Sequence, residues 1–106
     1  MILAALTRFD NGFIYTVYGH SGYAEYGNDV ICAAVSMLTH TIAESLKERS
    51  DIKSNIAVGY GSAHIEAMGK VDEIYKVLRC GLGFLKSLDQ SEMWLKISVN
   101  DKLSKV

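Results

Sequence analysis

Two side chains that can cooperate in nucleophilic chemistry, His20 and Cys32, lie twelve positions apart in the sequence. A thiolate, not a thiol, attacks a carbonyl carbon, so a catalytic cysteine needs a base to take its proton or a local field that favours a negative sulfur. Imidazole suits the role of base near neutral pH. The pair is therefore a candidate for thiol-dependent hydrolysis, provided that the fold brings the imidazole and the sulfur together.

The sequence from Val30 onward predicts an amphipathic helix that holds Cys32 in its first turn. Apolar residues recur there at steps of three and four, at Ile31, Val35, Leu38, Ile42 and Leu46. Asn28 or Asp29 is the expected N-cap, and the carboxylate of Asp29 is alternatively placed to orient His20. Unpaired N–H groups and the macrodipole at a helix start favour a negative sulfur and are candidate donors to an oxyanion.

His20 is expected at the end of a strand. Residues 2 to 9 and 13 to 19 are rich in β-branched and aromatic types, and the Asp10-Asn11-Gly12 run between them predicts a hairpin turn. Residues 21 to 28 contain two glycines and follow neither the strand period nor the helix period, so we interpret them as a loop. Such a loop lets the imidazole of His20 fold back towards the helix start.

The rest of the chain predicts a second hairpin, a second helix and a final strand. The hairpin strands are expected at residues 55 to 58 and 63 to 67, around a turn that contains Gly59 and Gly61. The helix is expected from Val71 to Leu88, and the last strand from Met93 to Val99. The order ββαββαβ predicts an α+β fold, a mixed sheet with two helices packed on it, in one domain spanning residues 1 to 106.

Composition narrows the functional classes. The formal charge is −1, and no run of Lys or Arg is present to follow a phosphate backbone, so we expect no direct nucleic-acid binding. No stretch approaches the roughly 18 apolar residues of a membrane span, and the run from Met1 to Leu6 is too short for a signal peptide. We therefore expect a cytoplasmic protein without membrane contact, whose two cysteines stay reduced.

Residues 17 to 36 resemble the signature of the ribosomal-processing cysteine protease family (Prp). In that family a Gly-His pair ends a strand, and an Asp-x-x-Cys-Ala-x-x-Ser run opens a helix after a flexible loop. Here the pair is Gly19-His20, and the run extends from Asp29 to Ser36. Ser21 stands where alanine is expected after the histidine, which is a small change.

The resemblance implies a homodimeric cytoplasmic endopeptidase without cofactor or metal. Its implied substrate is the N-terminal extension of a bacterial large-subunit ribosomal protein, the one numbered twenty-seven, cleaved after aromatic residues in an apolar segment. Carried onto matching positions, Cys32 is the nucleophile and His20 the base, with Gly19, Asp29 and Ser36 in support. The loop is expected to close over the peptide through four residues, Gly22, Tyr23, Tyr26 and Gly27.

Other interpretations stay open. The chain would be a non-catalytic module if it only captured the ribosomal protein or assisted subunit assembly, and a redox sensor if Cys32 were reversibly oxidised. Cys80 is expected to be a buried, inert residue of the second helix. His40 and His64 are expected at the surface or in packing, and a metal site built from His20, Asp29, Cys32 and His40 has no recognised ligand spacing.

Overall fold

A computed structural model describes residues 1–20 and 29–101, and within them the chain forms five strands and two helices. In chain order the elements are β1 (Ile2–Phe9), β2 (Gly12–Tyr18), α1 (Val30–Lys47), β3 (Ile52–Gly59), β4 (Ser62–Gly69), α2 (Asp72–Leu88) and β5 (Leu95–Asn100). The predicted order ββαββαβ is confirmed. Neither helix carries an apolar run long enough to cross a membrane.

The strands form one sheet in the order β3-β4-β2-β1-β5. β1 pairs in parallel with β5, whereas the other three neighbouring pairs are antiparallel. The sheet is therefore mixed, as expected, and β2 is its central strand. Because β2 lies between β1 and β4, the residues that follow Tyr18 emerge beside the turn that joins β3 to β4.

Two strands begin two or more residues away from their predicted starts. β3 begins at Ile52, three residues before its predicted start, because the polar residues that follow Ile52 lie on an edge strand where exposure is tolerated. β5 begins at Leu95 and not at Met93, since the N–H groups of Trp94 and Leu95 are held by the carboxylate of Asp89 in the preceding turn.

The core lies between one face of the sheet and the two helices. Strand residues alternate, so every second side chain of the central strands is buried against α1 and α2. The largest fully buried side chains are Tyr15, Phe13, Ile2, Leu6, Ile42, Leu46, Ile65, Leu78, Leu82 and Val71. One sheet face therefore fixes where both helices lie, and with them the start of α1.

Cys80 contradicts the expectation that it is buried. Cys80 is exposed because it lies two positions from both Leu78 and Leu82, on the opposite side of α2 from the buried stripe. Leu88 is the last residue of α2, and 57% of it is exposed. The cysteine of the second helix is therefore open to solvent and available as a reference thiol.

The turn between α2 and β5 is organised by the buried carboxylate of Asp89, which is 3% exposed. One oxygen accepts hydrogen bonds from the N–H groups of Trp94 (2.9 Å) and Leu95 (2.8 Å), and the other accepts one from the hydroxyl of Ser91 (2.8 Å). Burial raises the pKa of Asp89, but these hydrogen bonds to the charged form outweigh it, so the pKa lies below the ordinary 3.8.

This lowered pKa predicts how Asp89 contributes to stability. Because the folded pKa is below the unfolded one, its contribution is present above the ordinary carboxyl pKa and is lost as pH falls through the folded pKa. We expect Asp89→Asn to lower the free energy of unfolding at pH 7 and the deficit to shrink below about pH 4. Urea denaturation at several pH values measures this, with Glu44→Gln on the exposed face of α1 as the control. A loss of unfolding free energy in Asp89→Asn that does not change with pH would contradict this role of the carboxylate.

Candidate active site

Asp29 caps the helix that carries Cys32. Its Oδ1 accepts hydrogen bonds from the N–H groups of Ile31 (3.1 Å) and Cys32 (3.0 Å), which identifies it, and not Asn28, as the N-cap of α1. The predicted position of Cys32 in the first turn is confirmed. The N–H groups of Ile31 and Cys32, which are candidate oxyanion donors, are therefore engaged by Asp29 in this structure.

His20 lies two residues after the end of β2, and the intervening Gly19 has a backbone conformation that favours glycine. Gly19 has a φ of +96°, and a Cβ on it would lie 2.4 Å from the carbonyl oxygen of Met1. The N–H of Gly19 donates a hydrogen bond to the carbonyl oxygen of Gly61, at 2.9 Å. The backbone before His20 is therefore fixed to the turn between β3 and β4.

The imidazole of His20 contacts that same turn. The centroids of the His20 and Tyr60 rings are 4.8 Å apart, with 46° between the ring planes. A Cβ on Gly61 would lie 2.9 Å from Nε2 of His20, so the imidazole rests against the glycine backbone. His20 is thus held through its backbone by Gly19 and bordered at its ring by Tyr60 and Gly61.

A cleft of about 730 Å³ lies between α1 and this end of the sheet. His20 lines it from the sheet side and Cys32 from the helix side, so the structure brings the two predicted reactive residues into one cavity. The three predicted supporting residues, Gly19, Asp29 and Ser36, line it as well. The glycine, aspartate and serine therefore lie in the same cleft as the candidate pair.

The floor of the cleft is largely aliphatic. Its apolar lining comes from both layers of the fold and consists of Ile2, Val17, Val35, Val58 and Ala63. Thr39 adds a polar group there, and its hydroxyl is hydrogen-bonded at 2.9 Å to the buried hydroxyl of Tyr15. Burial raises the pKa of Tyr15, so this phenol remains neutral. The cleft thus offers an uncharged, apolar surface below the two reactive side chains.

The other histidines have separate surroundings. His40 lines the cleft two turns after Cys32, and its Nδ1 donates to the carbonyl oxygen of Ser36 at 2.9 Å. That bond uses the ring nitrogen within α1 itself, since a carbonyl oxygen only accepts. His64 pairs with Glu66 at 2.8 Å on the sheet face away from the helices. The expectation of surface or packed histidines is confirmed for both.

Four predicted loop contacts, Gly22, Tyr23, Tyr26 and Gly27, lie outside the described residues. Within residues 1–20 and 29–101, no group of three or more His, Cys, Asp or Glu side chains is arranged to hold a metal ion.

Tyr60 is the site residue that sequence reasoning missed. It was interpreted only as part of a hairpin turn, because its contact with His20 depends on the pairing of β2 with β4, across about forty residues. The one available signal was the run Gly59-Tyr60-Gly61, in which a large aromatic residue occupies a turn where nothing local buries it.

A family model described as cysteine protease Prp matches residues 1–93 of the chain. A search of curated protein sequences gave no significant match.

Solved structures share the fold. The ribosomal processing protease Prp from S. aureus, in complex with a covalently linked product peptide, superposes with a TM-score of 0.73 at 23% identity, covering 96% of this chain and 100% of that chain. The same protease with a substrate peptide gives 0.64 at 23% identity, again covering 96% and 100%. The protein SMU.848 from Streptococcus mutans gives 0.71 at 19% identity, with 96% of each chain covered.

The Asp29 cap predicts a measurable stability loss. Asp29→Ala removes the acceptor of two amide hydrogen bonds and is expected to lower the free energy of unfolding by about 1 kcal/mol. Asp29→Asn keeps an Oδ1 acceptor and is expected to lose less. Urea denaturation measures the free energy of unfolding of both variants. The control is Glu48→Ala at the other end of α1, where the backbone N–H of Glu48, and not its side chain, makes the capping hydrogen bonds. Equal losses in Asp29→Ala and Glu48→Ala would contradict the assignment.

Proposed function

Because the chain belongs to the Prp family of cysteine proteases, and is thus a cysteine-type peptidase, we propose that it removes the N-terminal extension of a bacterial large-subunit ribosomal protein, the one numbered twenty-seven. We assign Cys32 as the nucleophile and His20 as the general base. The observation that carries the assignment is the shared cleft, which both side chains line from opposite walls. Gly19, Asp29 and Ser36 act in support.

The proposed reaction is acyl transfer through the sulfur of Cys32. His20 takes the thiol proton, and the thiolate forms a C–S bond with the scissile carbonyl carbon. The tetrahedral intermediate then collapses, the C–N bond breaks, and the imidazolium returns the proton to the departing amine. The imidazole then takes a proton from water as the water oxygen adds to the thioester carbonyl, the C–S bond breaks, and the imidazolium returns the proton to the sulfur. The N-terminal fragment leaves as a carboxylic acid, which ionises in solution. The enzyme ends in its starting protonation state.

The start of α1 contributes electrostatically to this reaction. Its positive end favours the thiolate and the oxyanion, and Asp29 holds the first turn in shape. The N–H of Cys32 donates to Asp29 at 3.0 Å, so this amide reaches the oxyanion only when the carboxylate gives up that hydrogen bond. We therefore expect the Asp29 cap to rearrange slightly when the peptide binds.

The cleft suits an apolar aromatic substrate segment. Its volume is about 730 Å³, and its floor is aliphatic. An aromatic side chain beside the scissile bond can therefore leave water and make apolar contacts in the cleft. The S. aureus protease has been crystallised with substrate and product peptides, which supports a peptide ligand for a protein of this fold. The loop residues Gly22, Tyr23, Tyr26 and Gly27 complete the peptide contact in the proposal.

Peptide cleavage tests the proposal. A synthetic peptide with adjacent aromatic residues in an apolar N-terminal segment is incubated with the purified protein, and the fragments are identified by mass spectrometry. We expect cleavage after an aromatic residue, no turnover by Cys32→Ala, and a loss of about a hundredfold or more in kcat for His20→Ala. Cys80→Ala removes the exposed thiol of α2, which does not line the cleft, and is expected to keep full activity.

Two outcomes would overturn the proposal. Full activity in Cys32→Ala would exclude this nucleophile. Tight binding of the peptide by the wild-type protein without turnover of any terminal sequence, together with Cys32 alkylated no faster than Cys80, would favour the non-catalytic binding module.

We also propose that the protein is a cytoplasmic homodimer. The support within the structure is a stripe of exposed apolar residues on α2, Val77, Phe84 and Leu88, which are 58%, 65% and 57% exposed. Their spacings of seven and four place them on one side of the helix, and an exposed apolar surface of this kind marks an association site.

Phe84→Glu places a charge in the middle of this α2 stripe, and we expect it to convert the dimer to a monomer at micromolar concentration. Light scattering coupled to size-exclusion chromatography measures the mass. Ser54→Glu adds the same charge on an exposed residue of β3 and should leave the dimer intact. A Phe84→Glu protein of unchanged dimeric mass would show that the α2 stripe is not the interface.

A further inference from the structure

Tyr60 has a surface position that protein packing does not explain. It is 80% exposed, at a turn of two residues between β3 and β4, and the described contact of its ring is with His20. Large aromatic side chains stabilise a fold chiefly when they are buried, and Tyr60 is not buried. Its placement therefore calls for an explanation based on the histidine.

The turn holds His20 at two points. The carbonyl oxygen of Gly61 accepts the N–H of Gly19 at 2.9 Å, which extends the β2–β4 pairing to the residue before His20. The α-carbon of Gly61 then faces the imidazole so closely that a Cβ would lie 2.9 Å from Nε2. The backbone before His20 and the ring of His20 thus both contact the same two-residue turn.

The Tyr60 ring borders the imidazole next to this contact. The ring centroids are 4.8 Å apart, within the range of favourable aromatic pairs. The contact therefore restricts the orientation of the imidazole.

We propose that Tyr60 is a positioning residue for His20, which confines the imidazole to the side of the cleft that faces Cys32. The inference rests on the proposed function, because it takes His20 as the base. Tyr60 acts through the imidazole, by ring contact, and its hydroxyl has no part in the effect. Gly61 completes the arrangement by leaving the space that the imidazole occupies.

Alkylation of Cys32 tests this without any substrate. Iodoacetamide reacts with the thiolate, so the rate at each pH between 5 and 9, followed by mass spectrometry of the labelled peptides, reports how well His20 takes the proton. We expect Tyr60→Ala to slow labelling of Cys32 near pH 6.5 about three- to fivefold, the factor that the loss of one aromatic pair supports. Tyr60→Phe, which keeps the ring, should match the wild type.

The molecule provides its own controls. Cys80 is exposed on α2 and does not line the cleft, so its labelling rate should be the same in every variant. Tyr18→Ala removes another exposed tyrosine, on the sheet face away from the helices, and should leave Cys32 labelling unchanged. In a His20→Ala background Tyr60→Ala should add no further slowing, since the residue through which it acts is gone.

Two further measurements separate positioning from a contact with substrate. In NMR spectra, the ring carbon-bound protons of His20 should shift in Tyr60→Ala and keep their wild-type shifts in Tyr60→Phe. With the peptide substrate, kcat of Tyr60→Ala should fall by about the factor seen in alkylation, with KM within about twofold of the wild-type value.

Gly61→Ala should displace the imidazole and slow Cys32 labelling, whereas Gly83→Ala, whose Cβ meets nothing within 4 Å, should not.

Several results would overturn the inference. Unchanged Cys32 labelling in Tyr60→Ala would remove the positioning role, and equal defects in Tyr60→Phe and Tyr60→Ala would assign the effect to the hydroxyl. A raised KM with unchanged kcat and labelling would make Tyr60 a substrate contact. Failure of the proposed function is distinguishable, since then His20→Ala itself leaves Cys32 labelling at the wild-type rate.

Discussion

The pairing of β2 with β4 is the constraint on which the site depends. In its register Tyr18 lies opposite Ser62, so the chain leaves β2 beside the two-residue turn that precedes β4. The same pairing directs Phe13, Tyr15 and Val17 into the core. A slip of one residue would turn these side chains to solvent and move His20 away from the turn, so core packing and site geometry enforce the same register.

The two walls of the cleft come from elements that do not depend on each other locally. His20 is placed by sheet pairing and by the turn, whereas Cys32 is placed by the cap of Asp29 and by the packing of α1 on the sheet. The hydrogen bond between Tyr15 and Thr39 joins these two systems beneath the cleft. The distance between His20 and Cys32 therefore depends on how α1 packs on the sheet, so a change in that packing alters the site.

Local sequence patterns predicted the elements well and the tertiary contacts poorly. The helix around Cys32 and its cap were predictable because apolar spacing and N-cap chemistry act over a few residues. The exposure of Cys80 was not foreseen, although its position opposite Leu78 and Leu82 follows from the helical period. The contact of Tyr60 with His20 could not be predicted, because it arises from strand register between distant segments. The choice between Asn28 and Asp29 as the cap could not be made from the sequence, because both residue types are good N-caps.

The central claim is that Cys32 forms a covalent acyl intermediate with the peptide, and trapping that intermediate tests it most directly. Excess enzyme is mixed with substrate peptide, quenched in acid at successive times, and analysed by intact mass and by mapping of the labelled site. The account predicts a transient thioester that carries the N-terminal fragment, located on Cys32 and absent from Cys32→Ala. Cleavage without any adduct on Cys32, or an adduct on Cys80 that accounts for turnover, would contradict it.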